Sequence, residues 1–309
     1  MDNNVYDIFH NVKNLFYLGN FQTSLDEANN IEINEEELAQ VVRKYFYIFI
    51  NCVEDLKTDE LNDFLANLKE SKDDQLKIYY NLFLFFTVYI YKNNFNEQRF
   101  NKLYTDLKNL RKFDPVIFPA IYIISLMLLD RGEFDNFLQL TEKYDSDLEI
   151  LLLKFYMFLN LNKTEEMQKV VNIMNIKDSE SSITQLCSII FKLYKNNDHA
   201  NVLSTLQNIN KNGMLTIKLF NLIGVTLLSY SNFEEACKIL NLAKDMLEKN
   251  GASSKDYNCI MVNLICAHRN LGNEKEVYDH EEILRKSDPK NKYFARINQF
   301  EDEYIKLIQ

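Results

Sequence analysis

The side chains best equipped for chemistry in this sequence are four histidines, His10, His199, His268 and His280, and five cysteines, Cys52, Cys187, Cys237, Cys259 and Cys266. Metal binding needs several such groups converging on one point. The nearest pair, Cys266 and His268, sits two residues apart on a helical pattern, about 200° around the axis, so the two cannot share a face. They read as a packing cysteine beside a partly exposed histidine. An odd cysteine count without a C-x-x-C pair points away from both a zinc knuckle and a disulfide framework, and toward the reducing cytosol. Acidic runs such as Glu35-Glu36-Glu37, Glu165-Glu166, Glu234-Glu235 and Glu281-Glu282 could suggest acid/base work or calcium. Placed in first turns or on polar faces of helices, they read instead as solvated charges favoured by the helix dipole. The phosphate-loop, dinucleotide, nucleophile-elbow and H-E-x-x-H patterns are all missing. The expectation is therefore a protein that is not an enzyme, with no catalytic residue, no cofactor and no metal.

Composition narrows the partners. The 309 residues carry 35 Lys and Arg against 45 Asp and Glu, a net charge of −10. Such a surface repels phosphate backbones, so no direct nucleic-acid binding is expected. The aromatic run over residues 79–91 lacks the interleaved Lys or Arg of a base-stacking platform and reads as core. The apolar stretch 78–91 is broken by Asn81 and is short of the roughly 20 residues a membrane span needs. No secretory or lipidation signal is visible at the start.

Only 6 Gly and 3 Pro occur, too few for a fold rich in tight turns. Apolar residues recur at helical spacing, as in Leu38, Val41, Val42, Tyr45, Ile48, Phe49 and Cys52. Polar breaks at Gly19-Asn20, Lys92-Asn93-Asn94, Arg131-Gly132, Asn160-Leu161-Asn162, Lys195-Asn196-Asn197, Ser229-Tyr230-Ser231-Asn232 and Leu271-Gly272-Asn273 separate helices in pairs. Breaks roughly 30 to 40 residues apart are the arithmetic of helix–turn–helix repeats. Against the 34-residue tetratricopeptide template, a unit starting at Ile217 puts Phe220, Ile223, Gly224, Ala236, Leu240 and Ala243 on the template's large and small positions. Gly224 and Ala236 are small where two helices cross, and Phe220 and Leu240 fill the space between layers. A second unit starts at Asn258, with its turn at Gly272 and Pro289 stopping its second helix. These starts lie 41 residues apart rather than 34, and the excess is assigned to an inter-unit loop at residues 249–254. Weaker units begin near Val5, Phe118 and Leu148; between residues 32 and 110 the template fits poorly.

The expected architecture is all-α: a single right-handed α-solenoid domain over residues 1–309, of about eight tetratricopeptide-like hairpins. A terminal helix over residues 290–309 carries the stripe Phe294, Ile297, Phe300 or Glu301, Tyr304 and Ile308 and would cap the last repeat.

The stretch Val12-Lys13-Asn14-Leu15-Phe16-Tyr17-Leu18-Gly19-Asn20-Phe21-Gln22, followed by Glu27-Ala28, resembles the opening helical pair of coatomer epsilon subunits. Three further matches follow in order: Ile183-Thr184-Gln185-Leu186, Val262-Asn263-Leu264-Ile265 with Leu271-Gly272, and Asn298-Gln299-Phe300-Glu301. Residues 32–145 match in helix rhythm but in few residues. The resemblance implies a non-catalytic subunit of the COPI coatomer that curls around and stabilises the C-terminal domain of the alpha-coatomer subunit. The pair would act in retrograde Golgi-to-ER and intra-Golgi transport. The chain would then be cytoplasmic, peripheral on Golgi membranes and COPI-coated vesicles, touching other coatomer subunits and reaching membrane only indirectly through the coat.

In such arrays the concave groove is lined by the first helix of each hairpin, which here gives Leu126, Leu129, Leu152, Tyr156, Leu159, Val225, Leu228 and Val262. Val225 and Cys266 occupy the places where a carboxylate-clamp groove carries Asn, which disfavours capture of peptide tails. An apolar groove suits a permanently buried partner, or else a superhelix curled tightly enough to pack its own inner helices. The alternative function is a tetratricopeptide scaffold or adaptor of another cytosolic complex, in chaperone or degradation machinery.

Overall fold

The computed structural model describes residues 8–33, 37–54, 58–70, 74–90, 95–110, 115–145, 147–195, 198–211, 216–250 and 254–308. Among them are seventeen α-helices and no strand. Two compact units divide the chain, Met1–Phe191 and Lys192–Gln309.

The first unit holds α1 (His10–Leu18), α2 (Phe21–Asn30), α3 (Leu38–Glu54), α4 (Thr58–Glu70), α5 (Asp74–Ile90), α6 (Glu97–Lys108), α7 (Phe118–Asp130), α8 (Phe134–Thr141), α9 (Leu148–Asn160), α10 (Thr164–Asp178) and most of α11 (Ser182–Tyr194). Helices pack as hairpins in the pairs α1/α2, α3/α4, α7/α8 and α9/α10. Its core is aromatic: Phe49 stacks on Phe83 with ring centroids 4.3 Å apart, and Phe46 meets Tyr122 edge-on at 5.4 Å.

The second unit holds α12 (His199–Lys211), α13 (Ile217–Ser229), α14 (Phe233–Asn250), α15 (Ser254–Leu271), α16 (Glu274–Ser287) and α17 (Lys292–Ile308). Its core uses small and aliphatic side chains, among them Ala236, Leu240, Ala243 and Leu264. Gly224 of α13 faces Leu240 of α14 so closely that a β-carbon there would lie 2.5 Å from Leu240 Cδ2. The close crossing at Gly224 expected from the sequence is thus present, with Leu240 as the facing side chain, and a methyl group there would require Leu240 to shift.

One turn device recurs between paired helices. After α7, Gly132 adopts φ +73°, its N–H donates to the Leu129 carbonyl (3.1 Å), and the Glu133 N–H donates to Leu128 (2.9 Å). Left-handed backbone here lets two successive amides close the helix end. Gly19 and Gly272 repeat the arrangement, whereas Asn162 (φ 55°) and Ser231 (φ 60°) hold it without glycine. A left-handed residue with a β-carbon costs about 1–2 kcal/mol. Ser231→Gly is therefore expected to stabilise the second unit by about 0.5–1 kcal/mol, read as a raised urea midpoint.

Helix starts agree with the sequence at Phe118, Leu148 and Ile217. Asp147 caps α9 by accepting from the Glu149 and Ile150 amides, and Thr216 caps α13 by accepting from Leu219. Helix α16 ends at Ser287, just before Pro289. Some expectations are corrected and others fall outside the described residues. The extra length between the last two units lies mainly in helices, α14 and α15 having 18 residues each, and α15 begins at Ser254 rather than Asn258. In α17 Phe294 is buried but Phe300 is 74% exposed, so Phe300 is not part of a covering stripe; the side chains of Glu301, Tyr304 and Ile308 lie outside the described residues. So do Val5, residues 92–94, 196–197 and 251–253.

Candidate functional site

Of the eight residues assigned to a groove, five stand in the first unit. Leu126 and Leu129 on α7, with Leu152 and Leu159 on α9, are half-buried and rest on the aromatic core. Tyr156, one turn along α9 from Leu152, is 54% exposed. Helices α7 and α9 pack side by side, so these residues form neighbouring apolar stripes. In the second unit α13 and α15 likewise pack together; Leu228 and Val262 rest on that unit's core, and Val225 is half-buried beside them. Apart from exposed Tyr156, each of these residues is half-buried.

The first unit also holds a buried polar cluster that spacing did not reveal. Glu149 of α9 is 1% exposed and accepts hydrogen bonds from the hydroxyls of Tyr17 (3.0 Å) and Tyr47 (2.9 Å). Arg43 Nη2 donates to its other oxygen at 2.6 Å, and Arg43 also lies 3.6 Å from Asp147. The Arg43 guanidinium stands over the Phe118 ring at 4.3 Å. The Tyr122 hydroxyl is 3.3 Å from that of Tyr17. Three helices, α1, α3 and α9, therefore meet on one carboxylate, and α7 joins them through Tyr122 beside Tyr17 and Phe118 against Arg43. In an open array each repeat touches only its neighbours, but here the first hairpin reaches α9, and Asn14 of α1 accepts from the Ser182 amide at the start of α11 (3.0 Å).

Electrostatics fit a lock rather than a reacting group. Burial, then the Glu149 charge, raises the Tyr17 and Tyr122 phenols well above their usual range, so both stay protonated donors. Burial also raises Asp147, assisted by the Glu149 charge and opposed by Arg43. Arg43 is held above its normal range because Tyr47, Glu149 and Asp147 outweigh the burial that opposes its charge. Sealed from solvent, the Glu149 carboxylate can position helices but cannot meet a substrate.

A second cluster joins α14, α15 and α16. Cys237 Sγ lies 3.8 Å from His268 Nε2, and the rings of His268 and His280 are 5.4 Å apart. His280 Nδ1 donates to the Glu276 carbonyl at 2.6 Å, leaving its buried Nε2 without a partner. Among the described residues no group of three or more His, Cys, Asp or Glu is placed to hold a metal ion. Burial holds both imidazoles below their usual range, with Glu276 pulling His268 partly back and Lys244 pushing His280 further down. The folded state thus prefers both rings neutral. Their contribution to stability is complete above the unfolded histidine pKa of about 6.5 and is lost as pH falls through the depressed folded values. The unfolding midpoint is expected to drop between pH 7.5 and 5.5, and the drop to shrink in His280→Gln. An equal drop in both proteins would remove this cluster as its cause.

Compared with known families, residues 5–309 match the coatomer epsilon subunit. The chain belongs to that family. It is accordingly a subunit of coatomer, the COPI vesicle coat, and a structural coat component in vesicle transport. No curated protein matches the chain individually. As a coatomer epsilon subunit it interacts with other coatomer subunits, and its all-helical build fits tetratricopeptide-like hairpins. Coatomer is a cytosolic coat held peripherally on Golgi membranes. Among the described residues no helix is long and apolar enough to cross a membrane.

Proposed function

We propose that this coatomer subunit binds the C-terminal domain of the alpha-coatomer subunit and stabilises it in the coat, during retrograde Golgi-to-ER and intra-Golgi transport. On this reading the chain is not an enzyme and works in the cytoplasm, peripheral on Golgi membranes and COPI-coated vesicles. Within each unit the hairpins stack in a right-handed sense. The observation that carries the reading is an anchored apolar surface within each unit: Leu126, Leu129, Leu152 and Leu159 half-buried in the first, with Tyr156 of that unit 54% exposed, and Leu228 and Val262 half-buried in the second. Obligate interfaces are more apolar than transient ones, and a large aromatic at the centre of such a patch commonly supplies much of the binding energy. Tyr156→Asp and Leu228→Asp each place a charge on the stripe with no partner to neutralise it. Both are expected to abolish co-purification of the alpha subunit's C-terminal domain while far-ultraviolet circular dichroism stays unchanged. Undiminished co-purification with both variants would refute the assignment.

A further inference from the structure

A second apolar depression lies away from these stripes, where the hairpin pattern loosens. Helix α5 leans on α3 and α4, whereas α6 leans on α7 and α8. The two meet at Arg99, which donates to the Asn81 carbonyl (3.2 Å) and covers the Phe85 ring at 5.2 Å. Beyond that contact they part and leave a groove of about 730 Å³. Its walls include Ile78, Leu82, Leu103, Leu107, Ile117 and Ala120. Ile78 is 66% exposed, a large aliphatic side chain held out at the rim. The charged groups lining the groove are Arg99 and Asp106, both on α6 and both exposed. Seven residues of helix place them about two turns, or roughly 10 Å, apart on one face. Among the described residues neither has an ion-pair partner.

An open apolar trough flanked by one cation and one anion that lack ion-pair partners among the described residues is complementary to a particular ligand. We propose that it receives an amphipathic helix of a partner protein. That helix carries an apolar stripe at three- and four-residue spacing, with an acidic and a basic residue about two turns apart beside it. The acid faces Arg99 and the base faces Asp106. This surface is separate from the α7 and α9 stripes and does not depend on the alpha subunit.

The test uses the full chain and three fluorescent, end-capped helical peptides of roughly 16 residues sharing one leucine stripe. One carries Glu and Lys two turns apart, one carries two Glu and one carries two Lys. Fluorescence anisotropy should show the mixed peptide binding at least about tenfold tighter than either other. Ile78→Glu and Leu107→Glu should abolish binding with helical content intact, and Asp106→Lys should transfer the preference to the two-Glu peptide. Absence of saturable binding, equal binding of all three peptides, or an unchanged preference in Asp106→Lys would overturn the proposal. So would concentration-dependent self-association that Ile78→Glu removes, which would assign the groove to a second copy of the chain.

Discussion

Replacing Glu149 by alanine is expected to destabilise the first unit by about 3–5 kcal/mol, the usual penalty for removing one partner of a buried ion pair. The residue is 1% exposed and accepts from Tyr17, Tyr47 and Arg43 at once, over sequence separations of 132, 102 and 106 residues. Alanine would leave the Arg43 charge over the Phe118 ring, with Asp147 at 3.6 Å as its remaining acid. Two phenolic hydroxyls would lose their acceptor in a dry site, each at about 1–3 kcal/mol. Partial takeover by Asp147 keeps the total below the sum of these. Since an ion pair in a core tends to contribute specificity more than stability, removing both charges should hurt less than removing one. Arg43→Met with Glu149→Gln keeps an acceptor for the tyrosines and is expected to regain about half the loss. Urea unfolding gives the total, and hydrogen exchange in α1 and α9 shows where it falls. A loss below about 1 kcal/mol for Glu149→Ala would mean that the carboxylate does not lock these helices.

Gly224→Ala should be the second most damaging small change. Alanine is normally better than glycine inside a helix by about 1 kcal/mol. Here its methyl would sit 2.5 Å from Leu240 Cδ2 and 2.6 Å from Cγ. Leu240 is fully buried between α13 and α14 and cannot simply rotate away. Overpacking of this kind costs about 1–3 kcal/mol, and at these distances the upper end applies, so the net change is destabilising. Leu240→Ala alone is expected to cost about 2–5 kcal/mol by opening a cavity. Combined, the new methyl partly fills that cavity, and the double variant should fall short of the summed losses by about 1–2 kcal/mol. Strict additivity in the cycle would show that α13 and α14 are not wedged apart by this contact.

The helical class, the hairpin turns and the close crossing at Gly224 were legible because each is written locally, although Leu240 as the facing side chain was not read. Helix period, a left-handed residue after a helix and a small residue opposite a large one all act within one hairpin. Glu149 was not legible because its partners come from α1 and α3, more than a hundred residues away. Its one local hint is a lone acid in the first turn of the otherwise apolar α9, the same place a dipole-favoured acid would take. The open α5–α6 pair escaped for a related reason: Phe83, Phe85 and Phe86 show that α5 is buried without showing against what. Lys249, Asn250 and Ser254 were read as loop because such polar residues punctuate helix ends, while a helix can run on through its last polar residues.

Hydrogen exchange of the purified chain, alone and saturated with the alpha subunit's C-terminal domain, tests most directly whether the anchored apolar stripes hold a coat partner. Slowed exchange is expected in peptides covering Leu126 to Leu129, Leu152 to Leu159, Val225 to Leu228 and Val262, with little change on α8 and α10. A stable complex whose protection avoids all four segments, or no complex at all, would contradict it.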